Sequence, residues 1–318
     1  MTPTSTQSVA ILGGGPEGLT AAYRLAHLGY RVTIVDSHLL SESTIIGEEH
    51  RSDLEPFTIL GCHHETQALL HSLHSGPQQP AEIPISLEFR LPDGSLVHYP
   101  RTSFLAPLHT WANLLRFAGI PWKERWLLAS WLEQVWEGDA QLPADLEQRI
   151  ADEWLASIGQ REQTRRVVWN PVAQWLTGND LSTMSADAFL LSLKPLFLST
   201  RPDSRISIVQ QSVQTCFVQP LAKMLTQIGA TILGGTDVAQ LRYEQDRISG
   251  VLLRDGSLLQ TDWYVAALPQ PHLTPLLPER WLTRYAYFQH LAGLRSIDRT
   301  ILHVDVEQSC ATPRLVLL

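Results

Sequence analysis

Residues 9–36 read VAILGGGPEGLTAAYRLAHLGYRVTIVD. The run Val9-Ala10-Ile11-Leu12 is apolar, short and partly β-branched, as expected of a strand buried in a parallel sheet. Gly13, Gly15 and Gly18 follow in a G-x-G-x-x-G spacing. Leu19, Ala22, Tyr23, Leu25 and Ala26 then recur at helical spacing and mark one helix face, which Gly29 closes. A second strand, Val32 to Val35, ends on Asp36. Glycines are needed in such a stretch because the chain turns sharply, its backbone must approach a pyrophosphate, and the helix must pack close to the strand. The free amides and the dipole at the helix start favour the phosphate charge. A carboxylate about 20 residues further on accepts from a ribose hydroxyl. The stretch is therefore expected to bind a dinucleotide. A tight strand-to-helix turn that binds nothing is the plain alternative.

Bulk properties narrow the class. The 318 residues carry a formal net charge of −8, with 44% hydrophobic and 18% charged side chains, enough apolar material for a globular core. The acidic balance argues against nucleic acid as a partner, and Arg161, Arg165 and Arg166 are too few to reverse it; they are expected on one solvated helix face. Cys62, Cys216 and Cys310 are far apart and odd in number. They suggest neither a metal site nor a disulfide framework, and point to a reducing, cytoplasmic compartment. No apolar run approaches the length of a membrane span. The opening MTPTSTQS has no basic n-region, so no signal peptide is expected.

Beyond Asp36 the pattern changes. Residues 37–58 look irregular, and 61–75 read as a helix with Leu69, Leu70 and Leu73 on its apolar side. Ile85 to Phe89 alternate as a half-buried strand, Pro92-Asp93-Gly94 turns, and Leu96 to Tyr99 return as the second arm of a hairpin. Residues 104–197 are mostly helical by pattern and hold eight of the ten tryptophans. Pro121 starts one helix, and Pro143, Pro171 and Pro195 punctuate others. Trp122, Trp126, Leu127 and Ser130 share one helix side, and Leu128, Trp131, Leu132 and Val135 an adjoining one. Core packing explains them; so does an apolar tunnel or a shallow membrane-contacting face. Strands return at Thr231–Leu233, then Val238–Leu241, Ile248–Leu253 and Leu258–Gln260 as an antiparallel meander, and Asp262–Leu268 reads as a last buried strand. The expected fold is α/β: a split Rossmann-like domain (1–80 and 205–270) with an inserted, mainly helical substrate domain (81–204 and 271–318). Adjacent His63 and His64 point about 100° apart on a helix and do not converge. Glu48-Glu49, Glu153, Asp180 and Asp187 read as solvated charges, and no residue is singled out as catalytic.

Several segments carry a family resemblance. Residues 9–36 resemble the FAD fingerprint of the amine oxidase and phytoene desaturase superfamily. GCHHETQALLHSL (61–73), LPDGSLVHYP (91–100) with FLAPLHTWANLLRF (104–117), and the block 152–193 with Trp169-Asn170-Pro171 resemble squalene-associated desaturases. QPLAKMLTQIGATILGGTDVAQL (219–241) and DWYVAALPQPHLTPLLP (262–278) resemble the returning half of their FAD domain. The nearest likeness is to hydroxysqualene dehydroxylases and carotenoid desaturases. The resemblance implies that Gly13, Gly15, Pro16, Glu17 and Gly18 lie along the pyrophosphate. It also implies that Asp36 holds the adenosine ribose, Arg51 partly replaces a family arginine beside the cofactor, and Val238 holds adenine through its backbone.

The family's G-G-R loop is replaced here by Ile45 to Ser52, and its flavin-proximal C-terminal segment is not reached before Arg314–Leu318. A shortened or split copy with an exposed apolar edge at 313–318 is one expectation. Three functions follow: an FAD-dependent oxidoreductase on a long isoprenoid such as hydroxysqualene, squalene or a carotene; a degenerate relative that binds a nucleotide or a partner chain; and an NAD(P)-dependent dehydrogenase. Neither the substrate nor the oligomeric state is legible at this level.

Overall fold

The structure, a computed structural model, describes residues 7–37, 39, 57–74, 82–100, 108–137, 145–197, 202–209, 211–294 and 314–318. In chain order these form β1 (Ser8–Leu12), α1 (Pro16–His27), β2 (Arg31–Asp36), β3 (Phe57–Leu60), α2 (His64–Leu73), β4 (Glu82–Pro84), β5 (Ser86–Arg90) and β6 (Leu96–His98). Helices α3 (Leu108–Arg116), α4 (Trp122–Glu137), α5 (Ala151–Ser157), α6 (Asn170–Thr177) and α7 (Ala186–Phe197) follow. Then come β7 (Ile206–Val209), α8 (Gln219–Gln227), β8 (Thr231–Gly234), β9 (Val238–Glu244), β10 (Arg247–Leu253), β11 (Leu258–Leu259) and β12 (Trp263–Ala266). The last elements are α9 (Glu279–Arg284), α10 (Ala286–Gly293) and β13 (Arg314–Leu317). Residues 40–56, including Glu48, Glu49 and Arg51, lie outside the described residues, as do Pro143 and Cys310.

By internal contacts the chain divides into two units. The first comprises 1–57, 69–80 and 211–301. Its centre is a four-stranded sheet of order β12-β1-β2-β8, parallel throughout. Val9 to Leu12 are all buried, as the unbroken apolar run of β1 requires. Ala10, Leu12 and Val35 pack against Leu241, Val251 and Leu253 of the antiparallel meander β9-β10-β11. β12 differs from expectation. It sits at the sheet edge, and Trp263 is 56% exposed, so it is not a buried strand. The segment 279–293 packs with this first unit, because Trp281 lies between the rings of Tyr243 (5.2 Å) and Phe288 (5.7 Å).

The second unit comprises 58–68, 81–210 and 302–318. It holds two three-stranded sheets, β13-β5-β6 and β3-β7-β4, and a helical layer around a core that includes Phe89, Trp154 and Phe189. Segments 58–68, 205–210 and 271–301 therefore fall on opposite sides of the division from the ranges expected of them. Four local expectations also change. Glu88 is buried rather than outward, because both faces of β5 are covered (Leu87, Glu88 and Phe89 are all buried), and the carboxylate meets His98 Nδ1 at 3.2 Å. The apolar end Arg314–Leu317 pairs in parallel with β5 on one side and remains the edge strand of that sheet on the other, with Val316 37% exposed. Arg165 is not solvated: its Nε donates to Asp152 Oδ1 at 2.7 Å and Nη1 to the Gln160 carbonyl at 2.8 Å. Pro171 does not break its helix, and Pro195 lies inside α7.

The reason at Pro171 is local. Residues Arg165–Trp169 form a π turn, and Pro171 follows two residues later. The same arrangement recurs at Gln214–Val218, with Pro220 two residues on. A proline has no N–H for the ladder and crowds the carbonyl four residues back. The widened turn absorbs that loss and lets the helix run on.

Candidate functional site

The turn after β1 sorts its glycines by what a side chain would meet. Gly13 has φ +109, a region closed to most side chains, and a Cβ there would stand 2.4 Å from the Ala267 carbonyl oxygen. A Cβ on Gly18 would stand 1.9 Å from the Gly13 carbonyl oxygen, so α1 approaches β1 only because that atom is missing. Gly15 is different: its open side meets only Glu17 Oε2, at 3.3 Å. One glycine makes the turn, one allows the packing, and the middle one leaves the backbone bare. That is the division of labour of a dinucleotide turn.

The amides nearby are arranged accordingly. Gly13 N–H donates to the Val35 carbonyl at 2.9 Å, tying the turn to β2. Gly14 N–H donates to Asp36 Oδ2 at 2.7 Å. Gly15 caps α1 without a side-chain bond, Pro16 fills the first turn, and Leu19 N–H is bonded to the Gly15 carbonyl. Among the described residues the amides of Gly15, Glu17 and Gly18 have no backbone acceptor outside the helix. They lie at the positive end of the α1 dipole, the place where an anion is favoured.

Asp36 does more than the sequence suggests. Its other oxygen accepts the Leu39 N–H at 2.8 Å, so the carboxylate links the glycine turn to the loop after β2. Three contributors escaped the sequence. Leu39, buried, covers Gly14, where a Cβ would stand 1.7 Å from its Cδ1. A side chain at Gly14 would displace the end of Leu39 and press on Asp36 Cβ at 2.9 Å. Ala267 closes over both Gly13 and Gly18; its signal was only the small pair Ala266-Ala267 at the end of β12. Val238 stands four residues beyond Gly234, which pairs with Asp36, so it is at the same carboxyl end of the sheet. In open parallel sheets ligands bind there. Arg51 lies outside the described residues.

At the other end of the sheet the strands are clamped. Ser8 N–H and Oγ–H both donate to Asp262 Oδ2, at 2.7 and 2.8 Å. These bonds hold the Asp262 carboxyl below its ordinary value.

The second unit contains a cavity of about 70 Å³, lined among others by Phe89, Leu128, Trp131, Trp154, Trp169 and Phe189. It is far below the roughly 300–1,000 Å³ of pockets that enclose whole ligands. This part of the tryptophan-rich layer is packing, with Trp131 and Trp154 edge to face at 4.9 Å. The adjoining side of α4 is not: Trp122, Trp126 and Leu127 are 58%, 47% and 41% exposed. His64 is engaged rather than idle, with Nε2 at 2.6 Å from the buried Asp203. His63 instead accepts the Leu60 amide through Nδ1, so the two rings do not converge. The neighbouring Cys62 thiol is pushed up by burial, and by the Asp203 charge, which makes it no activated nucleophile. Burial likewise pushes Cys216 up to about 11. Among the described residues no cluster of His, Cys, Asp or Glu is fit to hold a metal, and no helix is long and apolar enough to cross a membrane.

The model of the flavin containing amine oxidoreductase family matches residues 50–309, and that of the NAD(P)-binding Rossmann-like domain matches residues 11–72. The chain belongs to the flavin containing amine oxidoreductase family. A zeta-carotene desaturase of Synechocystis sp. is 24% identical over 91% of this chain and 63% of its own length. A 15-cis-phytoene desaturase of Synechococcus elongatus is 26% identical over 56% of this chain and 40% of its own. The chain thus spans less than two thirds of the length of these relatives. An oxidoreductase from Methanosarcina mazei superposes with a TM-score of 0.62 at 13% identity, covering 91% of this chain and 65% of that one. A putrescine oxidase superposes with a TM-score of 0.56 at 16% identity, covering 88% of this chain and 63% of that one. These likenesses establish the fold.

Proposed function

We propose that the chain is an FAD-dependent oxidoreductase that desaturates, or reductively dehydroxylates, a long isoprenoid. The observation that carries this is the glycine turn, with Gly15 bare above uncapped amides and Asp36 tied to the same loop. The likeness to carotene and phytoene desaturases supports the substrate class. A carotene or hydroxysqualene is the substrate we favour.

The residues fit the cofactor. Gly13 and Gly18 shape the turn, while the amides of Gly15, Glu17 and Gly18 face the diphosphate. Asp36 would take the adenosine ribose and Val238 would present backbone groups to adenine. FAD, when bound, supplies the two-electron hydride chemistry, which no side chain of this protein provides. The protein's part is to hold, orient and shield. The first unit is the FAD domain and the second the substrate domain. Trp122, Trp126 and Leu127, with Lys123 beside them, suit a shallow contact with the headgroup layer from which an apolar substrate would be drawn.

The test is direct. The purified protein should show flavin absorption as isolated or after reconstitution with FAD. Under anaerobic conditions a carotene in detergent should bleach the oxidised flavin, whereas hydroxysqualene should reoxidise flavin first reduced with dithionite. A colourless protein that cannot be reconstituted removes this function.

A further inference from the structure

We infer that Glu17 is a built-in competitor for the diphosphate of the cofactor, an acid that stands beside the anion-binding end of α1 and lowers its affinity for FAD. The inference rests on the FAD function proposed above.

The turn Gly13 to Leu19, GGGPEGL, contains one charged side chain, and it is an acid. The open side of Gly15, the face left bare for a ligand, is met within 4 Å only by Glu17 Oε2, 3.3 Å from the position of a Cβ. Glu17 is exposed and lies in the first turn of α1. A carboxylate there is attracted by the helix dipole, so the flavin-free protein gains from it. A diphosphate is drawn to the same amides for the same reason. Two anions then compete for one positive end, and the carboxylate must swing outward against the charge of the ligand. Its side chain is long and exposed, so it yields, but the repulsion remains. The fingerprint itself needs no particular residue at this position, so the acid reduces affinity without serving the turn.

The experiment uses the full chain stripped of flavin. FAD, and separately ADP as a probe without flavin, are titrated into wild type, Glu17→Gln and Glu17→Lys. Flavin fluorescence and calorimetry give the affinities. The expected result is that Glu17→Gln binds both probes roughly threefold to tenfold more tightly at low salt, a charge effect at about 5–7 Å in a wet site. Glu17→Lys should bind more tightly still. The difference should shrink in 0.5 M salt, where screening is short-ranged at roughly 4 Å. The flavin-free Glu17→Gln protein should melt no higher than wild type, because the carboxylate supports the bare helix end. A purely structural role would move stability and affinity together. Equal or weaker binding of FAD and ADP by both variants overturns the inference alone. Binding of neither probe by any form overturns the FAD function and the inference with it.

Discussion

The Cβ that Gly18 lacks would stand 1.9 Å from the carbonyl oxygen of Gly13. Backbone cannot step aside there, so Gly18→Ala should push α1 away from β1 and cost about 1–3 kcal/mol of stability, as other overpacked sites do. Gly15→Ala should leave the fold nearly intact, since its only close neighbour is the end of the Glu17 side chain. It should nonetheless lose flavin. Denaturant midpoints and the flavin-to-protein absorbance ratio separate the two effects; equal loss of stability in both variants would refute the division of roles.

Asp36 binds two amides that belong to different loops, Gly14 and Leu39. Asp36→Asn replaces one acceptor by a donor and leaves an amide unpaired. We expect a loss of about 1–3 kcal/mol. The same variant should bind ADP more weakly. Thermal melts and ADP calorimetry check both, and unchanged values in each would refute the linking role.

The Ser8 bonds hold the Asp262 carboxyl below the ordinary aspartate range. A depressed carboxyl contributes stability that is fully present above its unfolded value and is lost as pH falls through the lower folded value. Wild type should therefore exceed Ser8→Ala by a constant margin above about pH 4, and the margin should close on further acidification. Melting curves across pH 2–6 test this. A margin that widens towards acid would contradict it.

Gln245 and Asp246 form the two-residue turn between β9 and β10, both with positive φ, 46 and 65. This is the turn geometry that favours asparagine and glycine. Asp246 is held by Arg280 at 3.2 Å and Arg284 at 3.6 Å, so the strain at Gln245 is the one to relieve. Gln245→Gly should stabilise the protein by up to about 1 kcal/mol. A chemical denaturation curve with a lower midpoint would speak against it.

Exposed Trp122 and Trp126 contact each other edge to face at 5.5 Å. Replacing both by alanine should change stability by less than about 0.5 kcal/mol, as expected of surface positions. It should also reduce co-sedimentation with phosphatidylcholine–phosphatidylglycerol vesicles. Undiminished vesicle binding would remove the membrane-facing role.

The fold was most legible where one physical requirement dominated. The unbroken apolar run of β1 needed burial on both faces, and the glycine spacing of 13–18 needed a turn; both read directly. Burial that depends on partners distant in sequence did not. Glu88 looked outward because alternation cannot show that both faces of β5 are covered. Arg165 looked solvated because Asp152 lies on another helix. The role of Leu39 was invisible, since one leucine in an irregular stretch gives no period. The tryptophans of α4 split between core and solvent because the two sides of that helix meet different surroundings.

Val9 is paired with Trp263, and Arg314 with Ser86. Each unit thus completes a sheet with a strand made long after its neighbour. As the chain leaves the ribosome, β1 must wait for β12, and β5 for β13, with their apolar edges uncovered in the meantime. Such remote pairing slows folding. Nascent copies should therefore depend on chaperones until the stretch around residue 314 has emerged.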